Sequence, residues 1–153
     1  MGEFIEVLLR GDSSLSRGER ELIGAYVSGL NECAYCTNAH IATAAAQLPG
    51  GSAQVELTLA DVATAPISGK LRALLDIAGL VQVSGRMVTA DAVAKARAEG
   101  ATDVEIHDTV LIAAAFCMFN RYVDGLGTSV PDDPAEYVAS AQFLVEHGYR
   151  TPR

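Results

Sequence analysis

The stretch Ser16-Arg17-Gly18-Glu19-Arg20-Glu21-Leu22-Ile23-Gly24-Ala25-Tyr26-Val27-Ser28-Gly29-Leu30-Asn31-Glu32-Cys33-Ala34-Tyr35-Cys36-Thr37-Asn38-Ala39-His40 decides how this chain is read. Ser16 followed by Glu19 is a capping box, in which the serine side chain satisfies a free backbone N–H and the glutamate reaches back to the serine's own. Behind it, Leu22, Ile23, Tyr26, Val27 and Leu30 recur at helical spacing and predict a helix to about Asn31. Another face carries Glu21, Gly24, Ala25 and Ser28, small apart from the glutamate. Small residues let a neighbouring backbone approach, so a carboxylate in that stripe can end up buried against a second helix. The second half supplies that helix. Cys33, Cys36 and His40 are spaced three and four residues apart, which puts them on one stripe of a helix. It should run through the alanines to about Gln47, where Leu48-Pro49-Gly50-Gly51 ends it.

Helical signals continue outward from this hairpin. A short helix is expected near Gln54 to Ala63, stopping before Pro66. Ser68 caps a helix from Gly69 to Val83 with Leu71, Leu74, Leu75 and Ala78 at core spacing, and Thr89 caps another that ends at Gly100. Thr102-Asp103-Val104-Glu105 is a second capping box, opening the most apolar helix, to about Leu126. Asp133-Pro134-Ala135-Glu136 opens the last, with proline at the first helical position. No stretch alternates as a strand does. The expected architecture is an all-α, single-domain helical bundle over 1–153, a length that buries about two-thirds of the unfolded chain's surface. One internal echo stands out: Glu21 precedes Cys33 by the same 12 residues as Glu105 precedes Cys117, with Asn120 in the place of Cys36 and Asp124 in that of His40.

Composition narrows the function. Half the residues are apolar, only 6% aromatic, and alanine makes up much of the apolar share, which suits closely packed helices. A net charge of −8 argues against nucleic acid, whose phosphates call for clustered Lys and Arg. The longest apolar run, Val110 to Phe119, is about half of a ~20-residue bilayer crossing, so no membrane partner is expected. The first residues, MGEFIEVLLRGD, lack the apolar core and cleavage site of a signal peptide, and a cytoplasmic location is the expectation. In that compartment a C-x-x-C pair reads as redox or metal chemistry rather than as a disulfide framework.

The chemistry lies in the stripe. A thiol beside an imidazole can be deprotonated at neutral pH, and the thiolate is the nucleophile. A second thiol one turn away can capture what the first one forms. Helical spacing from Cys36 to both Cys33 and His40 favours Cys36 as the activated thiol, while the helix dipole favours a thiolate at Cys33. Plainer readings stand beside this: two buried thiols acting as small hydrophobes, a solvated Glu21, or a zinc ion held by Cys33, Cys36, His40 and Glu21. Cys117, among Ala113 to Phe119, reads as core, and nothing marks His107 or His147 as functional.

Glu21, eleven intervening residues, Cys33-Ala34-Tyr35-Cys36, three more and His40 resemble the signature of the alkylhydroperoxidase D-like group of the carboxymuconolactone decarboxylase family. Lys70 to Ala78, the Glu99-Gly100 turn, Phe119-Asn120-Arg121 and Gly125 to Gly127 also look like that family's later helices, so the resemblance spans about residues 14 to 128. It implies an all-helical subunit, a homotrimer or homohexamer, and a cofactor-free peroxidase run by the cysteine pair on a small hydroperoxide, with a thiol or dithiol reductant. Carried over, Cys36 is peroxidatic, Cys33 resolves it as an internal disulfide that leaves Cys117 reduced, and Glu21 and His40 form the proton relay. One position departs from the pattern. The best-known members carry a histidine just before the second cysteine, where this chain has Tyr35, and a phenol of pKa ~10 is a poor proton shuttle at neutral pH. Tyr35 reads as either a pocket wall or packing. The alternatives are a decarboxylase of the carboxymuconolactone type, whose chemistry needs no dithiol, and a non-catalytic dithiol redox sensor.

Overall fold

The computed structural model describes residues 1–150, and among them the elements are helices only. They are α1 (Gly2–Arg10), α2 (Arg17–Leu30), α3 (Ala34–Ala45), α4 (Gly51–Ala60), α5 (Gly69–Val83), α6 (Ala90–Ala98), α7 (Asp103–Gly125) and α8 (Pro134–His147), with a 3₁₀ turn at Gly85–Met87. Both expected capping boxes form: Ser16 and Glu19 exchange bonds at the start of α2, and Thr102 and Glu105 do so at α7. Ser68 and Thr89 cap α5 and α6 through their side chains.

Two readings shift. The fourth helix begins at Gly51 and ends at Ala60, three residues earlier at each end than its apolar pattern indicated. Gly2–Arg10, which carried no helix assignment, form α1 and bury Leu8 and Leu9 against the core. A helix that short is marginal alone, and tertiary packing stabilises it.

The second helix is the axis of the bundle, touching α1, α3, α4, α5 and α7. Leu22, Ile23 and Val27 pack with Leu74, Leu75 and Ile77 of α5 and Ile112 and Phe116 of α7. Each such side chain stabilises the fold by roughly 1.5–3 kcal/mol. The small-residue face of α2 does what its composition implied. A Cβ on Gly24 would lie 2.5 Å from Cζ of Phe116, so the ring occupies the space glycine leaves free.

The turn from α2 to α3 is a Schellman closure. Cys33 N–H donates to Ser28 O at 3.1 Å and Glu32 N–H to Gly29 O at 3.0 Å, with Glu32 in the left-handed region at φ 58°. This reverses the chain within three residues and lays α3 back along α2.

The echo between the two Glu–x₁₁–Cys segments does not produce two copies of one structure. In the first copy the helix breaks at Asn31-Glu32 between glutamate and cysteine; in the second, α7 runs unbroken through Glu105, Cys117 and Asp124. Glu105 is buried and its Oε1 accepts from Lys70 Nζ at 2.8 Å. Burial alone would push its carboxyl up, but Lys70, the Thr102 N–H and Ser14 outweigh that and hold it at about 2. Asn120 is buried too, donating to Ser28 Oγ at 2.9 Å and accepting from Asn31 at 2.8 Å. In the second copy Glu105 ties α7 to α5 through Lys70, and Asn120 ties it to the end of α2 through Ser28 and Asn31.

Candidate functional site

Four of the sequence-designated residues gather at the α2–α3 hairpin, and all four are buried: Glu21, Cys33, Cys36 and His40. The carboxylate of Glu21 crosses from α2 to α3, with Oε2 2.6 Å from Nδ1 of His40. A carboxylate only accepts, so Nδ1 carries the proton, and a neutral ring then offers Nε2 as the free acceptor. Cys36 lies one turn before His40 on α3. Phe116 closes the other side of the imidazole, edge-on with ring centroids 4.6 Å apart at 81°.

Cys33 is not on the helical stripe. It is the N-cap of α3, in extended conformation at φ −82° and ψ 95°, and it closes α2 through its backbone N–H. Its thiol is fully buried and within hydrogen-bonding reach of Cys36. Burial pushes the Cys33 thiol up to about 12; a backbone bond at Cys36 works against this, while the Asp124 carboxylate and the Cys36 sulfur add to it. The dipole that was expected to favour a thiolate here is outweighed, because a thiolate without solvent loses more than a helix terminus returns. Cys33 is held as a thiol. All three cysteines are free. Cys117 is half-buried and packs against the core, and its sulfur accepts a 3.7 Å bond from Asn31 Nδ2.

The Tyr35 ring pairs with Tyr137 of α8, centroids 6.2 Å apart. Tyr137 lines a groove of about 500 Å³ between α3, α4 and α8, together with Ile41, Ala45, Val138 and Ala141. Neither Tyr35 nor any of the four site residues lines that groove; Tyr35, half-buried, touches its wall through Tyr137. Among the described residues no three His, Cys, Asp or Glu side chains are placed to hold a metal ion. His107 and His147 are exposed, as expected.

One residue at the site escaped the sequence reading. Tyr149, after the end of α8, donates from its hydroxyl to Oε1 of Glu21 at 2.7 Å. It is 128 residues away in sequence and carries no motif; only its place in an aromatic-poor chain could have drawn notice.

The family model for the carboxymuconolactone decarboxylase family matches residues 1–78, which includes α1 and stops within α5, a different window from the 14 to 128 of the motif resemblance. Two solved structures are similar over nearly the whole chain. An uncharacterised peroxidase-related protein from Silicibacter sp. TM1040 is 28% identical with a TM-score of 0.77, covering 95% of this chain and 70% of its own. An alkylhydroperoxidase AhpD core, an uncharacterised peroxidase-related protein from Ralstonia eutropha JMP134, is 27% identical with a TM-score of 0.79, covering 99% of this chain and 73% of its own. No curated protein matches. Among the described residues no helix is long and apolar enough to cross a membrane.

Proposed function

The chain belongs to the carboxymuconolactone decarboxylase family, and from that premise we propose that it is a thiol-dependent peroxidase that reduces small organic hydroperoxides. The observation that carries this reading is the buried 2.6 Å bond between Glu21 and His40, one turn from Cys36, whose sulfur has a second thiol within reach. An imidazole oriented by a carboxylate beside a nucleophile is the arrangement that activates a thiol.

The chemistry follows in two steps. His40 takes the Cys36 proton through Nε2, and the thiolate attacks the distal oxygen of the hydroperoxide. The O–O bond breaks, its electron pair leaves with the alkoxide, and the imidazolium returns the proton to give the alcohol. Cys36 is now a sulfenic acid. Cys33 then attacks the Cys36 sulfur: an S–S bond forms, the S–O bond breaks, and the departing hydroxide combines with the Cys33 proton as water. A thiol pushed up to about 12 competes poorly for the hydroperoxide, whereas its attack on the adjacent sulfenic acid is intramolecular and gives up its proton to the departing hydroxide in the same step. An external dithiol reduces the disulfide and is itself oxidised, closing the cycle. The reaction needs no cofactor, and its expected setting is a cytoplasmic homotrimer or homohexamer.

The test is turnover of an organic hydroperoxide with a dithiol reductant, coupled to disulfide mapping. Cys36→Ser should abolish it. His40→Ala and Glu21→Ala should each slow it by ~10²- to 10⁴-fold, as expected for a lost acid–base group, and should be non-additive together because both disable one proton path. Hydroperoxide left unconsumed, or an oxidised product in which Cys117 is bridged, sinks the peroxidase assignment. Carbon dioxide release from a carboxymuconolactone that survives Cys36→Ser would support the decarboxylase instead, and a reversible disulfide without turnover would support a redox sensor.

A further inference from the structure

Glu21 has two carboxylate oxygens, and the His40 bond uses only one. The other is taken by the chain's C-terminal segment. Tyr149 Oη donates to Oε1 at 2.7 Å, while its ring lies nearly parallel to the His40 imidazole, centroids 6.4 Å apart at 22°. The segment is held down by α1. Glu6 Oε2 accepts from the Tyr149 backbone N–H at 2.7 Å, and Glu6 Oε1 pairs with Arg10 Nε at 3.4 Å. Arg10 Nη1 donates in turn to the carbonyls of Leu144 and Val145 at the end of α8, at 3.0 and 3.3 Å. Gly148 makes the approach feasible. It sits at φ 80°, and a Cβ there would lie 2.5 Å from Glu6 Oε2.

We propose that Tyr149 is a positioning residue of the thiol-activating relay, a hydroxyl that aims and holds the Glu21 carboxylate at His40 from the C-terminal segment, with α1 as its clamp. This rests on the reading of Glu21 and His40 as the proton path to Cys36. A carboxylate bonded through one oxygen can rotate about its terminal torsion, which is broad and nearly two-fold. Bonded through both, it has one orientation. The phenol suits the task because it donates without ionising. Burial and the Glu21 charge both raise it above its ordinary range, so it keeps its proton wherever the relay works. The arrangement also gives α1 a purpose beyond packing: its Glu6 and Arg10 supply no group to the thiols, yet they hold the residue that aims Glu21.

The test is the pH dependence of Cys36 alkylation by iodoacetamide, followed by peptide mapping, which reads thiolate formation without hydroperoxide turnover. Tyr149→Phe keeps the ring and removes the hydroxyl. The charged groups that act at this cluster are His40 of α3 and Arg20 of α2 on Glu21, Asp108, Arg17 and Arg10 on Arg20 in turn, and Glu6 and Arg10 of α1 on Tyr149; the variant leaves all of them in place. Losing one hydrogen bond to a charged acceptor is worth about tenfold. The acid limb of the Cys36 profile should therefore move up by about one pH unit, with the Cys33 profile unchanged. Gly148→Ala, which keeps every charge but drives a Cβ into the Glu6 carboxylate, should move the limb in the same direction and serves if Tyr149→Phe does not fold. A Cys36 profile that superimposes on wild type in a folded variant overturns the proposal. Turnover is scored separately. A shifted limb in a protein that consumes no hydroperoxide supports the positioning role and refutes the peroxidase, whereas an unshifted limb in an active peroxidase does the reverse.

Discussion

Cys33 provides a prediction whose size can be worked from the structure. Its thiol is fully buried and pushed up to about 12 from its ordinary 9.0. The perturbation is pH, raised from 8 to 10.5. In the unfolded chain Cys33 releases its proton around 9, whereas in the folded protein it keeps it to about 12. Between those values the native state binds more protons, so stability falls as pH rises, starting near 9 and continuing to 12. Over the interval to pH 10.5 the loss is 1.36 kcal/mol for each of about one and a half pH units, or about 2 kcal/mol. Tyr26 and Tyr149 are raised as well and contribute in the same alkaline direction, so the wild-type change alone does not isolate the cysteine. The assay is urea unfolding of wild type and Cys33→Ala at both pH values, read as a double difference. The cavity left by the alanine is present at both pH values and cancels. The expected result is that Cys33→Ala loses about 2 kcal/mol less than wild type on going to pH 10.5. Equal losses in the two proteins would refute the argument: Cys33 would then ionise with similar ease folded and unfolded, and burial would not hold it as a thiol.

Two further outcomes concern the hairpin itself. Glu32→Gly relieves a left-handed residue at φ 58°; the relief of about 1–2 kcal/mol is partly offset by glycine's larger unfolded-state entropy, leaving a stabilisation of about 0.5–1 kcal/mol in urea unfolding, and a loss of stability would show that Glu32 contributes something other than strain. Gly24→Ala forces a methyl to 2.5 Å from the Phe116 ring, so thermal unfolding should show a cost of about 1–3 kcal/mol, and an unchanged Tm would mean that the ring moves aside freely.

The local signals carried most of the fold. Capping serines and threonines, helical spacing of leucines and the Pro49-Gly50-Gly51 stop are decided within a few residues, so α2, α3, α5, α6 and α7 could be read from the chain alone, with ends off by no more than about two residues. So could the pairing of Glu21 with His40, because a short turn between two helices leaves only one way for those faces to meet. What required the tertiary structure was whatever depends on contacts between distant segments. The amphipathic α1 is helical because Leu8 and Leu9 find the core. Cys33 has the sequence position of a dipole-activated thiolate, yet burial beside Cys36 and Asp124 makes it a thiol, since desolvation is set by the surroundings and not by the neighbours in sequence. Glu21 and Glu105 occupy matching sequence positions, and one meets an imidazole while the other meets Lys70. Tyr149 reaches Glu21 across 128 residues; a hydrogen bond at that separation is fixed by the packing of α1, α2 and the end of α8 together, and no periodicity or motif in the chain encodes it.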